Sequence, residues 1–159
     1  MNQKPSSLPP DIPAFLLRDF QEIMADMAQC CKERSQFQAD RFGLLEAELR
    51  CLMLFGDERY LTSKHIARKM NVAKSRISKI VAGLVERGLI KRSPDPDDSR
   101  ISLLSLTPEG QGLLMQVTAY SSEMSRIILQ FIPPDQRVAI IESLGALRTS
   151  MKTARDLLE

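Results

Sequence analysis

The eleven residues KRSPDPDDSRI, at positions 91–101, place three acids between two arginines in a stretch rich in turn-forming residues. Asp98 stands two residues before Arg100, so its carboxylate can hold the guanidinium in one orientation. An oriented arginine on a loop can enter a narrow minor groove of duplex DNA, where negative potential is enhanced. The alternative is a polar hairpin tip whose acids only aid solubility.

A second set of polar residues precedes this loop, in the stretch 73–87. At 100° per residue, its apolar residues Ile77, Ile80, Val81 and Leu84 share one sector of a helix, and the polar residues lie outside that sector. The polar set is Lys74, Ser75, Arg76, Ser78 and Lys79. Cations can donate to guanine edges, and hydroxyls to phosphates or bases. This predicts a helix that enters a major groove; a plain amphipathic helix with a solvated charged face is the alternative.

The charge distribution favours the same partner. Residues 62–100 hold ten Lys or Arg and four acids, a net charge of +6, whereas the remainder carries −4. A basic centre in an acidic frame indicates nucleic acid, although a solvated surface of mixed charge gives a similar count. Arg92 and Lys64 are expected near phosphates.

Four short elements position these groups. LTSKHIARKMN predicts a helix capped by Thr62 and ended by a left-handed Asn71, and only a short turn separates it from the helix over 73–87. The runs LIKRS and ISLLSL predict a two-stranded β-hairpin around the acidic loop. A helix-turn-helix followed by such a hairpin is a winged arrangement, with the hairpin as the wing.

Longer helices are predicted at both ends of the chain, where apolar residues recur at steps of three and four. A shorter helix over 44–55, whose apolar side is Leu45, Leu49, Leu52 and Met53, belongs to the winged domain. The long helices are one capped by Asp11 and running to about Gln36, one capped by Thr107 and running to Ile132, and one capped by Asp135. A small winged domain cannot cover such stripes. Pairing with a second copy about a two-fold axis is therefore expected, and folding back of these helices on their own domain is the alternative.

The fold class predicted is mainly α (α+β): a winged helix-turn-helix with a two-stranded wing and long terminal dimerisation helices. The expected divisions are a flexible tail over 1–10, an N-terminal dimerisation helix over 11–43, the winged domain over 44–106 and C-terminal dimerisation helices over 107–159.

The segment from Leu61 to Leu114 resembles the winged helix-turn-helix of MarR-type bacterial transcription regulators, most specifically in LVERGLIKR, DPDDSR and SLTPEG. The resemblance implies a homodimer that binds duplex DNA and is regulated by a small molecule or an oxidant. It places Ser75, Arg76, Ser78 and Lys79 in the groove and Ser63 and Lys64 by the backbone. Asp98 and Arg100 become the acid–arginine pair of the wing. The sequence departs from the family at Ala73-Lys74, where a cap-forming residue is frequent.

Relatives in this family bind effectors between the dimer helices and the winged domain. The candidate lining for a small apolar or aromatic effector is Met24, Met27, Phe37, Phe42, Met53 and Tyr120; burial in the core is the alternative for each. Cys30 and Cys31 are adjacent on the first helix and are either redox-active or buried small hydrophobes.

Other function classes are disfavoured. One histidine removes most acid–base and triad schemes and argues against a metal site, so no enzyme activity, metal or cofactor is predicted. The chain has no membrane-length apolar run, and three cysteines indicate a reducing cytoplasm. The favoured function is a repressor released by an effector. The alternatives are an oxidant-sensing repressor and a protein-interaction module that no longer binds DNA.

Overall fold

The computed structural model describes residues 12–98 and 100–158. Within them the chain forms six α-helices, one 3-10 turn and three short strands. They are α1 (Ala14–Arg41), α2 (Glu46–Met53), the 3-10 turn (Leu54–Gly56), β1 (Leu61–Thr62), α3 (Ser63–Met70), α4 (Lys74–Glu86), β2 (Ile90–Pro94), β3 (Ser102–Leu106), α5 (Pro108–Gln130) and α6 (Arg137–Leu158). The chain packs as two compact units, the first ending at Gly110 and the second beginning at Gln111.

The core of the first unit lies between α2, α3, α4 and the sheet. Its fully buried large side chains include Leu49, Leu52, Leu61, Ile66, Ile77, Val81, Leu84, Ile90 and Leu104. The α4 members are those that the helical wheel placed in one sector, so the predicted apolar back of this helix is confirmed. At about 25 cal/mol per Å² of apolar surface removed from water, this core holds α4 in place.

The helix-turn-helix follows the predicted local signals. The Thr62 hydroxyl accepts a hydrogen bond from the backbone N–H of His65 at 3.2 Å, which caps α3. Asn71 adopts φ 54°, a left-handed conformation that ends the helix and allows the sharp turn into α4. Ala73 precedes α4 in an extended conformation and makes no side-chain capping bond. The departure at Ala73-Lys74 therefore costs α4 a side-chain cap.

The wing is an antiparallel hairpin of β2 and β3, as predicted, with Ile90 opposite Leu106 and Pro94 opposite Ser102. A third strand, β1, was not predicted. It pairs with β3 on the side away from β2, which gives the sheet order β1–β3–β2. Two residues are too short to show a sequence period, so only the pairing with β3 reveals this strand.

The first two helices differ from prediction at their ends. α1 continues to Arg41, five residues beyond the expected end, and the expected cap Asp11 lies outside the described residues, as does the tail over 1–10. Leu45 was predicted on the apolar side of α2 but precedes the helix and is 69% exposed; Met53 is also exposed. The apolar period was correct for Leu49 and Leu52, and it failed at the helix ends, where the chain direction changes.

α5 begins with the predicted cap. The backbone N–H of Gly110 donates to the Thr107 hydroxyl at 3.0 Å. The helix ends at Gln130, and α6 begins at Arg137, two residues after the Asp135 that was predicted to cap it. No helix among the described residues is long and apolar enough to cross a membrane.

Candidate nucleic-acid interface

The outer face of α4 is polar and open to solvent. Lys74, Ser75, Arg76, Ser78 and Lys79 are all exposed, whereas Ile77 between them is fully buried. The first turn contains no acid, so its cations add to the positive end of the helix dipole. The Ser78 hydroxyl donates to the backbone carbonyl of Lys74 at 3.1 Å and keeps its lone pairs for a further donor. This face can attract and hydrogen-bond a polyanion.

The start of α3 offers a smaller polar surface. Lys64 is exposed and Ser63 is half-buried at the first position of the helix. Farther along, Lys69 pairs with Glu58, and the Nδ1 atom of His65 lies 3.6 Å from the other carboxylate oxygen of Glu58. The pairing with Lys69 lowers the pKa of Glu58, with smaller contributions from His65 and Arg68. Lys64 therefore lies exposed at the start of α3, on the first turn of the helix.

The wing carries the acid–arginine pair that was expected from sequence. Arg100 donates from Nε to Asp98 Oδ1 at 2.9 Å and from Nη2 to Oδ2 at 3.0 Å, and its backbone N–H donates to Oδ1 at 3.1 Å. These bonds lower the pKa of Asp98 and raise that of Arg100. The Arg100 side chain is nevertheless 89% exposed. The fork geometry fixes the direction of the guanidinium, and the pair contributes orientation more than net charge.

The rest of the wing loop is held by its own polar bonds. The Asp95 N–H donates to the carbonyl of Ile101, and the Ile101 N–H to that of Asp98, both at 2.9 Å. The Asp97 N–H donates to Asp95 Oδ1, also at 2.9 Å, in an Asx turn. Two of the acids thus build the turn from which Arg100 projects, and solubility alone does not account for their positions.

Arg92 and Arg100 border one shallow depression at the loop end of the wing, where its two strands meet the loop. Its volume is about 270 Å³, and Ser93, Pro94, Ile101 and Ser102 complete the lining. Arg92 lies on β2 opposite Leu104 of β3 and is exposed. The structure therefore brings together two cations that are eight positions apart in the sequence.

The residues proposed to line an effector pocket are not core residues. Met27, Phe37 and Met53 are 41%, 61% and 44% exposed, so the core alternative is wrong for these three. Met24, Phe42 and Tyr120 are half-buried, and Tyr120 belongs to the second unit. The apolar period identified their faces, but it cannot tell whether the chain itself covers a face.

The three cysteines occupy two kinds of environment. Cys30 and Cys31 are both exposed on α1, so the interpretation of them as buried hydrophobes is wrong. Cys51 is buried in α2; burial and the nearby negative charge of Glu48 raise its pKa to about 12. The Cys51 thiol is therefore protonated at neutral pH and a poor nucleophile, whereas the α1 thiols are open to reagents.

Sequence reasoning missed an ion pair that joins α2 to the end of α4. Arg87 Nη1 lies 3.3 Å from Oε2 of Glu48, whose side chain is 8% exposed. The same oxygen accepts a bond from the Leu45 N–H at 3.0 Å, which forms one half of a capping box. A glutamate three residues after the helix boundary was the available signal. Its partner Arg87 is 39 residues away and gives no local signal.

Known proteins share this domain and this fold. A family model described as the MarR family matches residues 42–101. The chain is 26% identical over 117 residues to the HTH-type transcriptional repressor YetL of Bacillus subtilis, which covers 72% of this chain and 70% of that protein.

Two solved structures are similar in fold. A MarR family protein from Bacillus stearothermophilus superposes with a TM-score of 0.79 at 17% identity, covering 89% of this chain and 99% of that one. A mutant of MepR from S. aureus, bound to an oligodeoxyribonucleotide, gives 0.60 at 17% identity and covers 83% and 97%. The resemblance inferred from LVERGLIKR, DPDDSR and SLTPEG is confirmed, and with it the absence of an enzyme function. Residues 42–101 thus match the MarR family, and the chain is similar in sequence and in fold to winged helix-turn-helix transcriptional regulators of that family.

Proposed function

We propose that the chain is a homodimeric repressor of pseudo-palindromic operators that a small apolar or aromatic molecule releases from DNA. In each subunit the first turns of α4 enter the major groove, and Arg100 of the wing enters the adjacent minor groove. The main support for this proposal is the bidentate pair of Asp98 and Arg100. It lies on an exposed loop whose shape is fixed by its own hydrogen bonds.

Duplex DNA is supported by the composition of the α4 face. A recognition helix in the major groove needs one buried apolar face and, in its first turns, exposed cations and small hydroxyl side chains. Ile77 and Val81 provide the back, and Ser75, Arg76 and Lys79 the exposed set. The MepR structure bound to an oligodeoxyribonucleotide has the same fold, which supports the same class of ligand here.

A homodimer is supported by apolar side chains that the described chain leaves exposed. On α1 they include Phe15, Leu16, Phe20 and Ile23, each between 45% and 61% exposed. α6 contains no buried residue over its 22 residues, all of which are described. Exposed apolar surface on each of these two helices is the mark of an interface, and a two-fold axis would place two α4 helices about 34–36 Å apart, one turn of DNA.

An effector is supported by the flexible, apolar character of the candidate lining. Met24, Met27 and Met53 can adapt to ligands of different shape. They join Phe37 and Phe42, which also belong to the first unit, in the proposed site. A ligand would release DNA by binding more tightly to a dimer whose α4 helices are wrongly spaced.

The principal test is selection of bound duplexes from a random pool, followed by titration against salt. We expect a two-fold symmetric sequence with half-sites about ten base pairs apart, and an affinity that falls steeply as salt rises because counterions are released. Arg100→Ala should weaken binding about tenfold, the effect of one good contact, and Lys152→Ala on α6 is the control. Equal effects of the two substitutions would contradict the wing assignment. If the protein binds no duplex even at low salt, the remaining hypothesis is a protein-interaction module that does not bind DNA.

Exposure of both α1 thiols favours a second candidate, release by oxidation of Cys30 or Cys31. Titrating operator DNA against Cys30→Ser and Cys31→Ser, with and without peroxide, separates the two modes. If both variants respond to peroxide as wild type does, oxidation of Cys30 or Cys31 is not the switch.

A further inference from the structure

The C-terminal end of α4 is tied to a buried carboxylate on α2. Glu48 is 6% exposed, and its Oε2 atom lies between the Leu45 N–H at 3.0 Å and Nη1 of Arg87 at 3.3 Å. A buried carboxylate is costly unless charged or polar donors surround it. Arg87 and the Leu45 amide supply that compensation from two different elements.

Gly83 makes room for this carboxylate against α4. A Cβ atom on Gly83 would lie 2.6 Å from Oε1 of Glu48, closer than real side chains approach. Glycine in a helix interior costs roughly 0.5–1 kcal/mol relative to alanine, so its presence here needs a packing reason. The Glu48 side chain is that reason, because it occupies the space a Gly83 side chain would need.

Arg87 also reaches the corner between α1 and α2. Its Nη2 atom lies 3.8 Å from the position a Cβ would take on Gly43. Gly43 has φ +61° and turns the chain after α1, and the Leu44 N–H closes the corner by donating to the carbonyl of Ala39 at 2.9 Å. One guanidinium thus pairs with α2 and lies beside the segment that leads into it.

The apolar packing of Ile77, Ile80 and Leu84 holds α4 against the core, but hydrophobic contacts are not directional. The charged hydrogen bond between Arg87 and Glu48 adds a directional constraint at the C-terminal end of α4. Arg87 stands eleven residues after Arg76, about 16 Å along the helix axis, so it acts at the end of α4 opposite the exposed cations.

We propose that Glu48 and Arg87 are positioning residues for DNA recognition: their ion pair, seated on Gly83, sets the angle and axial position of α4, and Arg87 does not serve as a phosphate contact. This inference rests on the proposed DNA-binding function. It predicts that loss of the pair reduces discrimination between operator and random DNA. Attraction to phosphate should remain, because the exposed cations of α4 and the wing are untouched.

The test compares operator and random duplex affinities, each across salt, for wild type, Glu48→Gln, Arg87→Met and the double variant. We expect the ratio of specific to non-specific affinity to fall about tenfold in each single variant, a usual coupling between neighbouring residues. The double variant should fall no further than either single one. The salt slope on random DNA should stay at the wild-type value. Lys79→Met is the matched comparison, and it should reduce that slope by about one.

Two outcomes would overturn the inference while leaving the proposed function intact. A salt slope reduced in Arg87→Met as in Lys79→Met, with the affinity ratio unchanged, would make Arg87 a phosphate contact. A purely structural role would lower both affinities in proportion to the folded fraction, measured by circular dichroism, and again leave the ratio unchanged. If Glu48→Gln does not fold, Arg87→Met, altered at a side chain that is 40% exposed, gives the comparison by itself. Wild-type protein that binds no duplex would overturn the proposed function and this inference together.

Discussion

The winged domain and the helices α1 and α6 differ in how completely the described chain buries their apolar side chains. In α4, thirteen residues contribute four buried apolar side chains, and the neighbouring strands and helices cover them. α1 has 28 residues and a single buried one, Ala39, while α6 has none among its 22 described residues. The winged domain completes its own core, so the polar groups proposed to face DNA are preorganised within one chain. The long helices present surface that a second copy is proposed to cover.

The largest expected effect comes from placing charge on the apolar face of α6. Leu144→Glu combined with Met151→Glu should yield monomers, because the two side chains, 40% and 49% exposed, then put carboxylates in the proposed interface. Light scattering on a sizing column should give about 17.9 kDa, the mass of one chain. Operator affinity should drop on the order of 100-fold, since a monomer keeps half of the phosphate contacts.

Thr153→Glu on the polar side of α6 is the control for that pair of substitutions and should leave mass and affinity unchanged. If the doubly substituted protein is still a dimer, the apolar face of α6 is not part of the interface. The proposed difference between this helix and the winged domain would then be wrong.

A second test addresses the self-sufficiency of the winged domain. A Cβ on Gly110 would overlap the carbonyl oxygen of Leu89, to which the Thr107 N–H also donates at 3.1 Å. Gly110→Ala should lower the free energy of unfolding by about 3 kcal/mol, the upper end for overpacking. Gly112→Ala is the matched control: its Cβ meets open space, so the change should raise stability by roughly 0.5–1 kcal/mol. Urea denaturation measures both, and similar stabilities for the two variants would contradict this account of the wing root.

A third test compares thiols from the two regions. The raised pKa of Cys51, about 12 against an ordinary value of 9.0, means that the folded thiol holds its proton more tightly than the unfolded one. Its contribution to stability is full below pH 9 and is lost as pH rises from 9 towards 12. Between these values the unfolding free energy of wild type should fall more steeply than that of Cys51→Ala, by about 1 kcal/mol per pH unit.

Parallel slopes for wild type and Cys51→Ala would show that the thiol is not buried as described. Alkylation followed by mass spectrometry gives a second readout at neutral pH. Cys30 and Cys31 should be modified before Cys51 because both are exposed, and Cys51 should react only after unfolding.

The smallest expected effect concerns the wing pair. Hydrogen bonds from Arg100 hold the pKa of Asp98 below its ordinary 3.8, so any stabilisation from the pair is present above that value and is lost as pH falls through the lower folded one. The contribution of Arg100 to DNA affinity should therefore be the same at pH 5 and pH 8. Carboxyl NMR titration should show the Asp98 pKa rise towards 3.8 in Arg100→Ala. An unchanged midpoint in that variant would mean that the pair does not persist in solution.

Signals from neighbouring residues identified the helix caps, a helix end, the buried face of α4 and the ion pair of the wing. Thr62 and Thr107 as caps, Asn71 as a left-handed helix end, and the buried face of α4 were all predictable, because each depends on residues within about four positions along the chain. The Asp98–Arg100 pair was predictable for the same reason. The predicted positions of the helix ends were less accurate, because Leu45 and Asp135 fit the local pattern equally well inside a helix or just before it.

The sequence by itself determined the fold class, the winged order of elements and the polar sets on α4 and the wing, because apolar period, capping and turn chemistry act over short distances. Only the tertiary structure decided that Arg87 meets Glu48 over Gly83, that β1 joins the sheet, and that Cys51 is enclosed while Cys30 and Cys31 are exposed. Those features depend on groups distant in the chain. Their proximity and burial follow from how the elements pack, which no single segment encodes.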